Sequence, residues 1–282
     1  MPELPEVEIL ARHLDPLLRG RVVEGMCLPR AGVVRDGCAR TFRERMAGAR
    51  LTGVVRRGKY LVVGYRPRGG SADAAFLAHL GMTGRMYVRA GMGVAPRHEA
   101  ARWLLEDGRE WIFEDPRRFG RILTGTGSLE RLGPEPLDAA FRGSDLALRV
   151  SRTRRRVKEA LLDQGVLAGL GNIYVSEALF GARIHPGRRA CELTLGEVSR
   201  LYRAIRQVLT RAIALGGSLE LDFEGRGGGE PLFYFGAAEG SGRAAERFRV
   251  YGREGEECPR CRGAIRRIVQ AGRSTYFCGR CQ

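Results

Sequence analysis

Two pairs of cysteines near the C-terminus constrain the fold more than any other feature of this chain. Each pair encloses two residues and sixteen residues separate the pairs; the cysteines are Cys258, Cys261, Cys278 and Cys281. This spacing is typical of a tetrahedral zinc site that is filled by four thiolates, so we predict a structural metal. The segments 265–269 and 274–277 flank a turn at 270–273, which predicts a β-hairpin with a basic tip. Two disulfides or free thiols are the alternative.

The charge of the chain indicates a polyanionic partner. The 282 residues carry a formal net charge of +16, which favours nucleic acid. A basic membrane-surface protein is the competing interpretation, but no apolar run is long enough to span a bilayer and no signal peptide opens the sequence. We therefore expect a cytoplasmic protein without membrane association. Lys59 and Lys158 are the only lysines among 48 basic residues, which makes them candidates for positions that need a compact ammonium group.

The opening residues, MPELPEVE, combine a nucleophile with an acid. Met1 precedes a small residue and is expected to be trimmed, which leaves the secondary amine of Pro2 at the chain terminus. An α-amino group has a pKa of roughly 7.7–8.0, so part of it is neutral near pH 7 and can form a Schiff base with a sugar carbon. Glu3 is placed to assist as an acid, either protonated or sharing a proton near the sugar oxygen, which predicts that an apolar, partly desolvated pocket raises its pKa. The alternative is structural, since Pro5 and acidic residues also suit a first helical turn.

Hydrophobic patterning divides the chain into a β-rich first half and a helical second half. Apolar residues with helical spacing follow the opening motif and stop before Gly20. The segments with strand-like patterns are 54–55, 60–63, 75–88, 102–106, 109–114 and 118–124. Asp107-Gly108 is a hairpin signal, so we predict a sandwich or a barrel. Beyond residue 150 the pattern turns helical, and Thr194 with Glu197 predicts a capping box.

The segment Gly169-Leu-Gly171-Asn172 separates two helical stretches. We interpret Asn172 as a helix N-cap, and glycines before a helix N-terminus allow backbone amides to approach a phosphate. A tight turn between helices is the alternative. The arginine-rich run 152–156, followed by Lys158, favours a clamp on a nucleic-acid backbone.

Two glycine-bounded segments, HLGMTG at 79–84 and DPRRFG at 115–120, each present an apolar side chain at a strand edge. Met82 and Phe119 can wedge into a base stack, with Arg117 occupying the vacated space. The alternative is that both apolar side chains belong to a hydrophobic core.

These segments together resemble the formamidopyrimidine-DNA glycosylase and endonuclease VIII family of base-excision repair enzymes. They follow the family's order over nearly the whole chain: MPELPEVE, RRGKYL, HLGMTG, DPRRFG, GLGNIY, VYGR and the cysteine pairs. The resemblance is greater to the formamidopyrimidine branch. It implies an α+β fold, with an N-terminal β-sandwich and leading helix, then a helical domain with a helix–two-turns–helix element and a zinc-bound β-hairpin. We place the sandwich domain at 2–137, a linker at 138–150, the helical domain at 151–252 and the zinc finger at 253–282.

The resemblance also implies a role for each candidate residue. Pro2 is the nucleophile that attacks C1′ of the damaged nucleotide, Glu3 is the acid that assists opening of the sugar, and Glu6 supports the site. Lys59 and Arg273 contact the phosphates at the lesion and assist the eliminations. The residues implied to contact DNA or to fill the gap left by an extruded base are Met82, His98, Arg117, Phe119, Lys158 and Asn172. The four cysteines are implied to hold one structural Zn2+.

The implied activity is that of a bifunctional DNA glycosylase and apurinic/apyrimidinic lyase. It would remove 8-oxoguanine and formamidopyrimidines and complete β,δ-elimination. The expected partner is double-stranded DNA with oxidised bases or abasic sites, bound by a monomer associated with the nucleoid. Two alternatives stay open: the same chemistry on oxidised pyrimidines, and a non-catalytic zinc protein that binds damaged DNA. The glycine-rich segment 219–247 is longer than the family pattern, and this departure bears on the lesion preference.

Overall fold

The computed structural model describes residues 2–91, 93–215 and 248–282. Two expectations, the trimming of Met1 and the effect of the 219–247 segment, lie outside the described residues. No helix within the described ranges is long and apolar enough to cross a membrane.

The described chain divides into two compact units. The first contains Pro2 and Glu6–Glu130, and the second contains Glu3–Pro5 together with 131–215 and 248–282.

The first unit is a sandwich of two antiparallel sheets. Its strands are β1 (Val23–Cys27), β2 (Arg50–Arg57), β3 (Tyr60–Arg66), β4 (Ala74–His79), β5 (Arg85–Arg89), β6 (Glu99–Leu105), β7 (Glu110–Glu114) and β8 (Arg121–Leu123). One sheet has the order β1-β6-β7-β5 and the other the order β2-β3-β4-β8. Many of the strands alternate buried with more exposed residues, as is expected when one sheet face packs on a shared core. The Asp107-Gly108 hairpin joins β6 to β7 as predicted.

The leading helix α1 (Leu4–Leu18) is confirmed and packs on this core. Its buried apolar residues are Val7, Leu10, Ala11, Leu14 and Leu18. The centre of the sandwich is aromatic: the rings of Trp103 and Trp111 stack with centroids 4.1 Å apart, and Phe76 lies parallel to Trp103 at 5.9 Å. Stacked rings of this kind contribute large buried apolar areas.

A helix that the sequence analysis did not predict, α2 (Ala39–Met46), follows β1. Only Phe42 and Met46 are buried, one helical turn apart, and the remaining positions are mostly arginine and glutamate. Two apolar residues give too short a pattern to be recognised as helical periodicity.

The second unit contains four helices. They are α3 (Gly143–Ser151), α4 (Val157–Leu162), α5 (Asn172–Ala182) and α6 (Leu195–Ala214). The predicted capping box starts α6: Thr194 Oγ1 accepts from the N–H of Glu197 at 3.3 Å, and the Glu197 carboxylate accepts from the N–H of Thr194 at 2.8 Å. Nearly every residue of α5 is buried, so this helix is the centre of the unit. Most of α3 falls within the segment 138–150 that we placed as a linker.

The C-terminal hairpin consists of β9 (Ile265–Gln270) and β10 (Arg273–Cys278), paired antiparallel. The turn falls at 271–272, within the predicted 270–273. The predicted α+β class, a sandwich with a leading helix followed by a helical region and a cysteine-bearing hairpin, is therefore confirmed.

Candidate active site

The carboxylate of Glu3 lies in a socket of backbone amides at the N-terminus of α5. It accepts hydrogen bonds from the N–H groups of Gly171 at 2.7 Å, Ile173 at 2.9 Å and Tyr174 at 3.3 Å. The first N–H groups of a helix lack intrahelical partners and carry partial positive charge, so they stabilise the ionised form of a carboxylate. The expectation of an apolar pocket is therefore wrong, whereas the protonation of Glu3 stays a prediction.

The glycines before α5 make room for the N-terminal segment. A Cβ on Gly171 would overlap the Glu3 carboxylate, and a Cβ on Gly169 would lie 2.7 Å from the side chain of Leu4. Gly169 has a φ of +87°, a conformation that favours glycine, and its carbonyl accepts from the N–H of Leu4 at 2.9 Å. The N-cap residue is Gly171, so the prediction that Asn172 is the N-cap is wrong. The anion bound by the backbone amides at the start of α5 is therefore the carboxylate of Glu3, from the same chain.

Replacing Gly171 with alanine should disrupt this socket. Its φ of −133° suits any residue, so the effect would come from the methyl group that displaces Glu3. We expect the free energy of unfolding to fall by about 1–3 kcal/mol through overpacking. Gly143→Ala is the matched control, because its Cβ would meet only Tyr202 at ordinary contact distance, 3.7 Å or more. Urea denaturation of both variants checks the prediction, and equal stabilities would contradict it.

Two side chains from different helices hold the carbonyl of Ser274, the residue that follows Arg273. The Nδ2 of Asn172 on α5 donates to this oxygen at 3.0 Å, and so does the Nζ of Lys158 on α4, also at 3.0 Å. The Lys158 ammonium also donates to Oγ1 of Thr275 at 2.5 Å. Strand β10 is thus tied to both helices at its first residues, while Arg273 itself is exposed.

The ammonium of Lys158 is fully buried, in contrast to an exposed DNA-binding lysine. Burial lowers its pKa to about 8, with Arg273 acting in the same direction and Glu3 opposing the shift. Because this buried amine donates hydrogen bonds to Ser274 and Thr275, it positions these residues of β10. The structure therefore places Lys158 against the hairpin.

The lowered pKa of Lys158 predicts a pH-dependent contribution to stability. Between pH 8 and 10.5 the unfolded chain keeps a proton on this amine that the folded chain has lost, so stability rises with pH in this window. Relative to Lys158→Met, the wild-type free energy of unfolding should therefore increase from pH 8 to pH 10 in urea denaturation. The control Arg155→Met should show no such trend, because a guanidinium stays protonated. A constant difference between wild type and Lys158→Met would contradict the placement of this amine.

In the first unit, Lys59 occupies the turn between β2 and β3 and is 8% exposed. Burial lowers the pKa of His79, at the end of β4, to about 3, and the charges of Arg121 and Lys59 act in the same direction. The Nδ1 of His79 accepts from the N–H of Gly81 at 3.0 Å, so the ring is neutral with its proton on Nε2. The imidazole is close enough to Lys59 to sense its charge, and it is hydrogen-bonded to Gly81 in the turn that carries Met82. As a neutral ring it adds no positive charge there.

The three predicted gap-filling residues lie on two turns that touch. A Cβ on Gly81, next to Met82, would lie 2.6 Å from the carbonyl carbon of Phe119, so the two backbones are in direct contact. Phe119 is 49% exposed, and the guanidinium of Arg117 lies 5.1 Å from the centroid of its ring. Met82 is half-buried. Phe119 is therefore a surface side chain, which opposes the alternative that it belongs to the core.

The remaining candidate residues are Pro2, Glu6 and His98. Pro2 is buried, and Glu6 is buried in the first turn of α1. His98 is exposed immediately before β6, and its carbonyl accepts from the N–H of Asp115 at 2.9 Å. This bond joins the His98 segment to the turn that carries Phe119.

A further buried carboxylate, that of Glu177 on α5, is not predicted from the sequence. It accepts hydrogen bonds from the N–H groups of Arg249, Val250 and Tyr251, each at 2.9 Å. Burial raises the pKa of Tyr251, and the neighbouring side chain of Asn172 opposes the shift. The VYGR segment is thus fixed to α5. No pattern marks Glu177, because its partners are backbone groups that lie 72 to 74 residues further along the chain.

The cysteine sulfurs form a compact cluster. The Sγ atoms of Cys258, Cys261, Cys278 and Cys281 all lie within 4.8 Å of one another. The Cys258–Cys281 and Cys261–Cys278 sulfur distances are 3.9 and 3.5 Å. A disulfide requires about 2.05 Å, whereas four thiolates about 2.3 Å from a tetrahedral Zn2+ are about 3.8 Å apart. The cluster fits a closed zinc site.

The cysteine-bearing hairpin packs on the end of α5. The guanidinium of Arg260 lies 4.6 Å from the ring centroid of Phe180 and donates to the Phe180 carbonyl at 3.2 Å. The Nε2 of Gln282 donates to the carbonyl of Ile184 at 3.0 Å. The position of the hairpin, and with it the position of Arg273, therefore depends on contacts that surround the metal site.

Family models match three consecutive parts of the chain. The Formamidopyrimidine-DNA glycosylase N-terminal domain matches residues 1–122, and the Formamidopyrimidine-DNA glycosylase H2TH domain matches 132–222. The Zinc finger found in FPG and IleRS matches 255–282. Together with the four-cysteine cluster, this last match confirms the predicted structural zinc site.

Curated relatives and solved structures are similar over their whole length. Formamidopyrimidine-DNA glycosylases from Paracoccus denitrificans and Alkalilimnicola ehrlichii are 41% and 42% identical, with 100% of both chains covered in each case. A Lactococcus lactis FPG mutant in complex with a Fapy-dG containing DNA has a TM-score of 0.85 at 29% identity, covering 100% of this chain and 99% of that chain. MutM in complex with carbocyclic 8-oxo-G containing DNA gives the same four values. The predicted family is thus confirmed, and the chain belongs to the formamidopyrimidine-DNA glycosylase family.

Proposed function

We propose that this protein is a bifunctional DNA glycosylase and apurinic/apyrimidinic lyase of base-excision repair. Its proposed substrates are 8-oxoguanine and formamidopyrimidines in double-stranded DNA. The relatives' name and the neighbours' complexes with Fapy-dG and 8-oxo-G containing DNA support this substrate class. The observation that carries the proposal is the position of Glu3, the residue directly after Pro2. Three backbone amides at the start of α5 donate hydrogen bonds to its carboxylate.

The amide hydrogen bonds to Glu3 favour its ionised form, and this suggests how the first step is completed. The neutral Pro2 amine bonds to C1′ with its lone pair, and the bond from C1′ to the base breaks with its electrons on the base, which takes a proton from water. The Pro2 nitrogen then carries a proton that it must lose before a C=N bond can form. Glu3 accepts this proton and delivers it to the sugar ring oxygen as the ring opens. The product is an iminium ion between Pro2 and C1′.

The iminium ion makes strand cleavage follow base release. Its positive charge acidifies the C2′ hydrogen, so loss of that proton expels the 3′ phosphate, and a second elimination expels the 5′ phosphate. We assign Lys59 and Arg273 to these phosphates, where a cation stabilises the departing anion. The hold of Lys158 and Asn172 on the Ser274 carbonyl supports the assignment of Arg273.

We assign the exposed and half-buried side chains to the duplex. Met82, Arg117 and Phe119 fill the gap left by the extruded base, and their shared surface position supports this role. His98 and Asn172 contact the DNA backbone. Lys158 acts on DNA through the hairpin, and Glu6 supports the site from within α1.

The domain bounds, the oligomeric state and the location in the cell are also proposals. We keep the domain bounds at 2–137, 151–252 and 253–282, joined by 138–150. We propose that the protein acts as a monomer on the chromosome, in the cytoplasm at the nucleoid. The net charge of +16 supports binding to DNA.

A panel of lesion duplexes tests the proposed function. Duplexes with a single 8-oxoguanine, formamidopyrimidine, oxidised pyrimidine or abasic site are incubated with the protein, and the products are separated by denaturing electrophoresis. We expect cleavage at the purine lesions and the abasic site, with phosphates at both ends of a one-nucleotide gap. Cleavage at oxidised pyrimidines alone would move the substrate class to the endonuclease VIII type. Lesion binding without any cleavage would instead indicate a non-catalytic damage binder.

A further inference from the structure

Asp115 is a buried carboxylate that the proposed chemical steps do not use. It follows β7 and is 1% exposed. Its Oδ1 accepts from the hydroxyl of Thr83 at 2.9 Å, and its Oδ2 accepts from the N–H of Gly120 at 2.6 Å. Thr83 is the neighbour of Met82, and Gly120 is the neighbour of Phe119. One carboxylate therefore joins the two turns that carry the gap-filling side chains.

Thr83 forms a second connection between the same turns. While its hydroxyl donates to Asp115, its oxygen accepts from the N–H of Arg117 at 3.3 Å. Thr83, from the turn that carries Met82, is thus hydrogen-bonded to two residues of the turn that carries Phe119. They are Asp115, at the start of that turn, and Arg117, in its middle.

Arg30, which follows β1, closes the second turn from another part of the sandwich. Its Nη1 donates to the carbonyl of Asp115 at 3.3 Å, and its Nη2 donates to the carbonyl of Gly120 at 3.5 Å. Its Nη2 also lies 3.6 Å from the Asp115 carboxylate. Both ends of the turn are held by one guanidinium, and residues 117–119 project between them.

The backbone of this turn is strained at its centre. Arg118 has a φ of +59°, in the left-handed region that non-glycine residues seldom adopt. Such a conformation persists where the surrounding structure determines it. The bonds of Arg30 and Asp115 at the two ends provide that constraint.

We propose that Asp115, together with Thr83 and Arg30, is a positioning residue that fixes the two turns to each other. Met82, Arg117 and Phe119 would then enter the base stack as one rigid group. This inference rests on the proposed function, because it presupposes base extrusion. Separating stacked bases requires side chains that are held rigidly in place. Side chains that are ordered before binding also lose less conformational entropy when they insert.

Two substitutions break the connection in different ways. Thr83→Val removes only the hydroxyl, and Asp115→Asn replaces one acceptor oxygen with a donor. The matched control is Asp36→Asn, because Asp36 also accepts from a threonine hydroxyl and a backbone N–H, both of Thr124, in the same unit. Circular dichroism and urea denaturation establish that each protein is folded.

The readouts separate positioning from general binding. A 2-aminopurine placed beside an 8-oxoguanine brightens when its neighbour unstacks, and single-turnover excision is followed on the same duplex. We expect both variants to slow the fluorescence rise and the excision by roughly tenfold or more, the order of rate change that loss of one charged hydrogen bond produces. Affinity for undamaged duplex should stay near the wild-type value, and Asp36→Asn should match wild type in every assay. The double variant should be no slower than the slower single variant, because both break one connection.

Wild-type fluorescence and excision rates in folded Thr83→Val and Asp115→Asn would overturn the positioning role. Fully additive slowing in the double variant would overturn the coupling between the turns. If Asp115→Asn does not fold, Thr83→Val decides the question alone. Failure of the proposed function is distinguishable, since the wild-type protein itself would then cleave none of the duplexes, and the inference would fall with it.

Discussion

An N-terminal extension that converts the Pro2 amine into an amide should abolish base excision and the covalent trapping of the protein on DNA. An amide nitrogen shares its lone pair with the carbonyl and is not a nucleophile. Removal of a covalent nucleophile typically lowers the rate by several orders of magnitude. The assay is incubation with a lesion duplex in the presence of borohydride, which reduces an iminium ion to a stable amine. Mass spectrometry of the cross-linked peptide should place the DNA on residue 2 of the unextended protein.

Pro2→Gly tests the same step with a free amine. Glycine leaves a primary amine on a flexible residue, so we expect most base excision to be lost while DNA binding persists. The affinity should persist because the charge and the zinc hairpin are unchanged. Pro16→Ala is the matched control, since Pro16 is an exposed proline within α1. Absence of trapping by the wild-type protein on every lesion and abasic site would contradict the nucleophile assignment.

The sequence predicts those parts of the fold whose determinants lie close together along the chain. The hairpin at Asp107-Gly108, the capping box of α6 and the cysteine pairs each occupy a short stretch, and the structure confirms all of them. The leading helix is recognisable because five apolar residues repeat at helical spacing. The resemblance to a family, carried by seven ordered segments, supplied the roles of the site residues.

Features that depend on distant partners could not be predicted in this way. The glycines at 169 and 171 suggested a phosphate-binding turn, yet the space beside them is used by residues 3 and 4, and the amide of Gly171 donates to Glu3, 168 positions away. A helix N-terminus favours any anion, and the sequence does not show which anion binds there. The same limit applies to Glu177 and Arg30, whose partners are mainly backbone atoms. Backbone groups are chemically alike at every position, so a motif cannot record them.

Cys278→Ser should release the zinc and unfold the C-terminal hairpin. An isolated two-stranded hairpin is marginally stable in water, and the apolar cluster around the site contains little besides Phe180, Val250 and Ile265. Binding of a structural zinc contributes about 10–16 kcal/mol in zinc-finger peptides, and this energy stabilises the folded state. Elemental analysis should find one zinc per wild-type chain and less than one in the variant. Zinc-free wild-type protein with full DNA affinity would contradict the prediction.

The consequence for DNA follows from the contacts of β10. Without the metal, the carbonyl of Ser274 leaves Lys158 and Asn172, and Arg273 is no longer held at a fixed position. We therefore expect the affinity for a lesion duplex to fall by roughly tenfold or more, as for the loss of a charged phosphate contact and its supports. Both tryptophans of the chain lie in the sandwich, so tryptophan fluorescence should report an unchanged first unit while proteolysis reports an open hairpin. Cys191→Ser, an exposed cysteine outside the cluster, should change neither the zinc content nor the affinity, which assigns the effect to the metal site and not to the loss of a thiol.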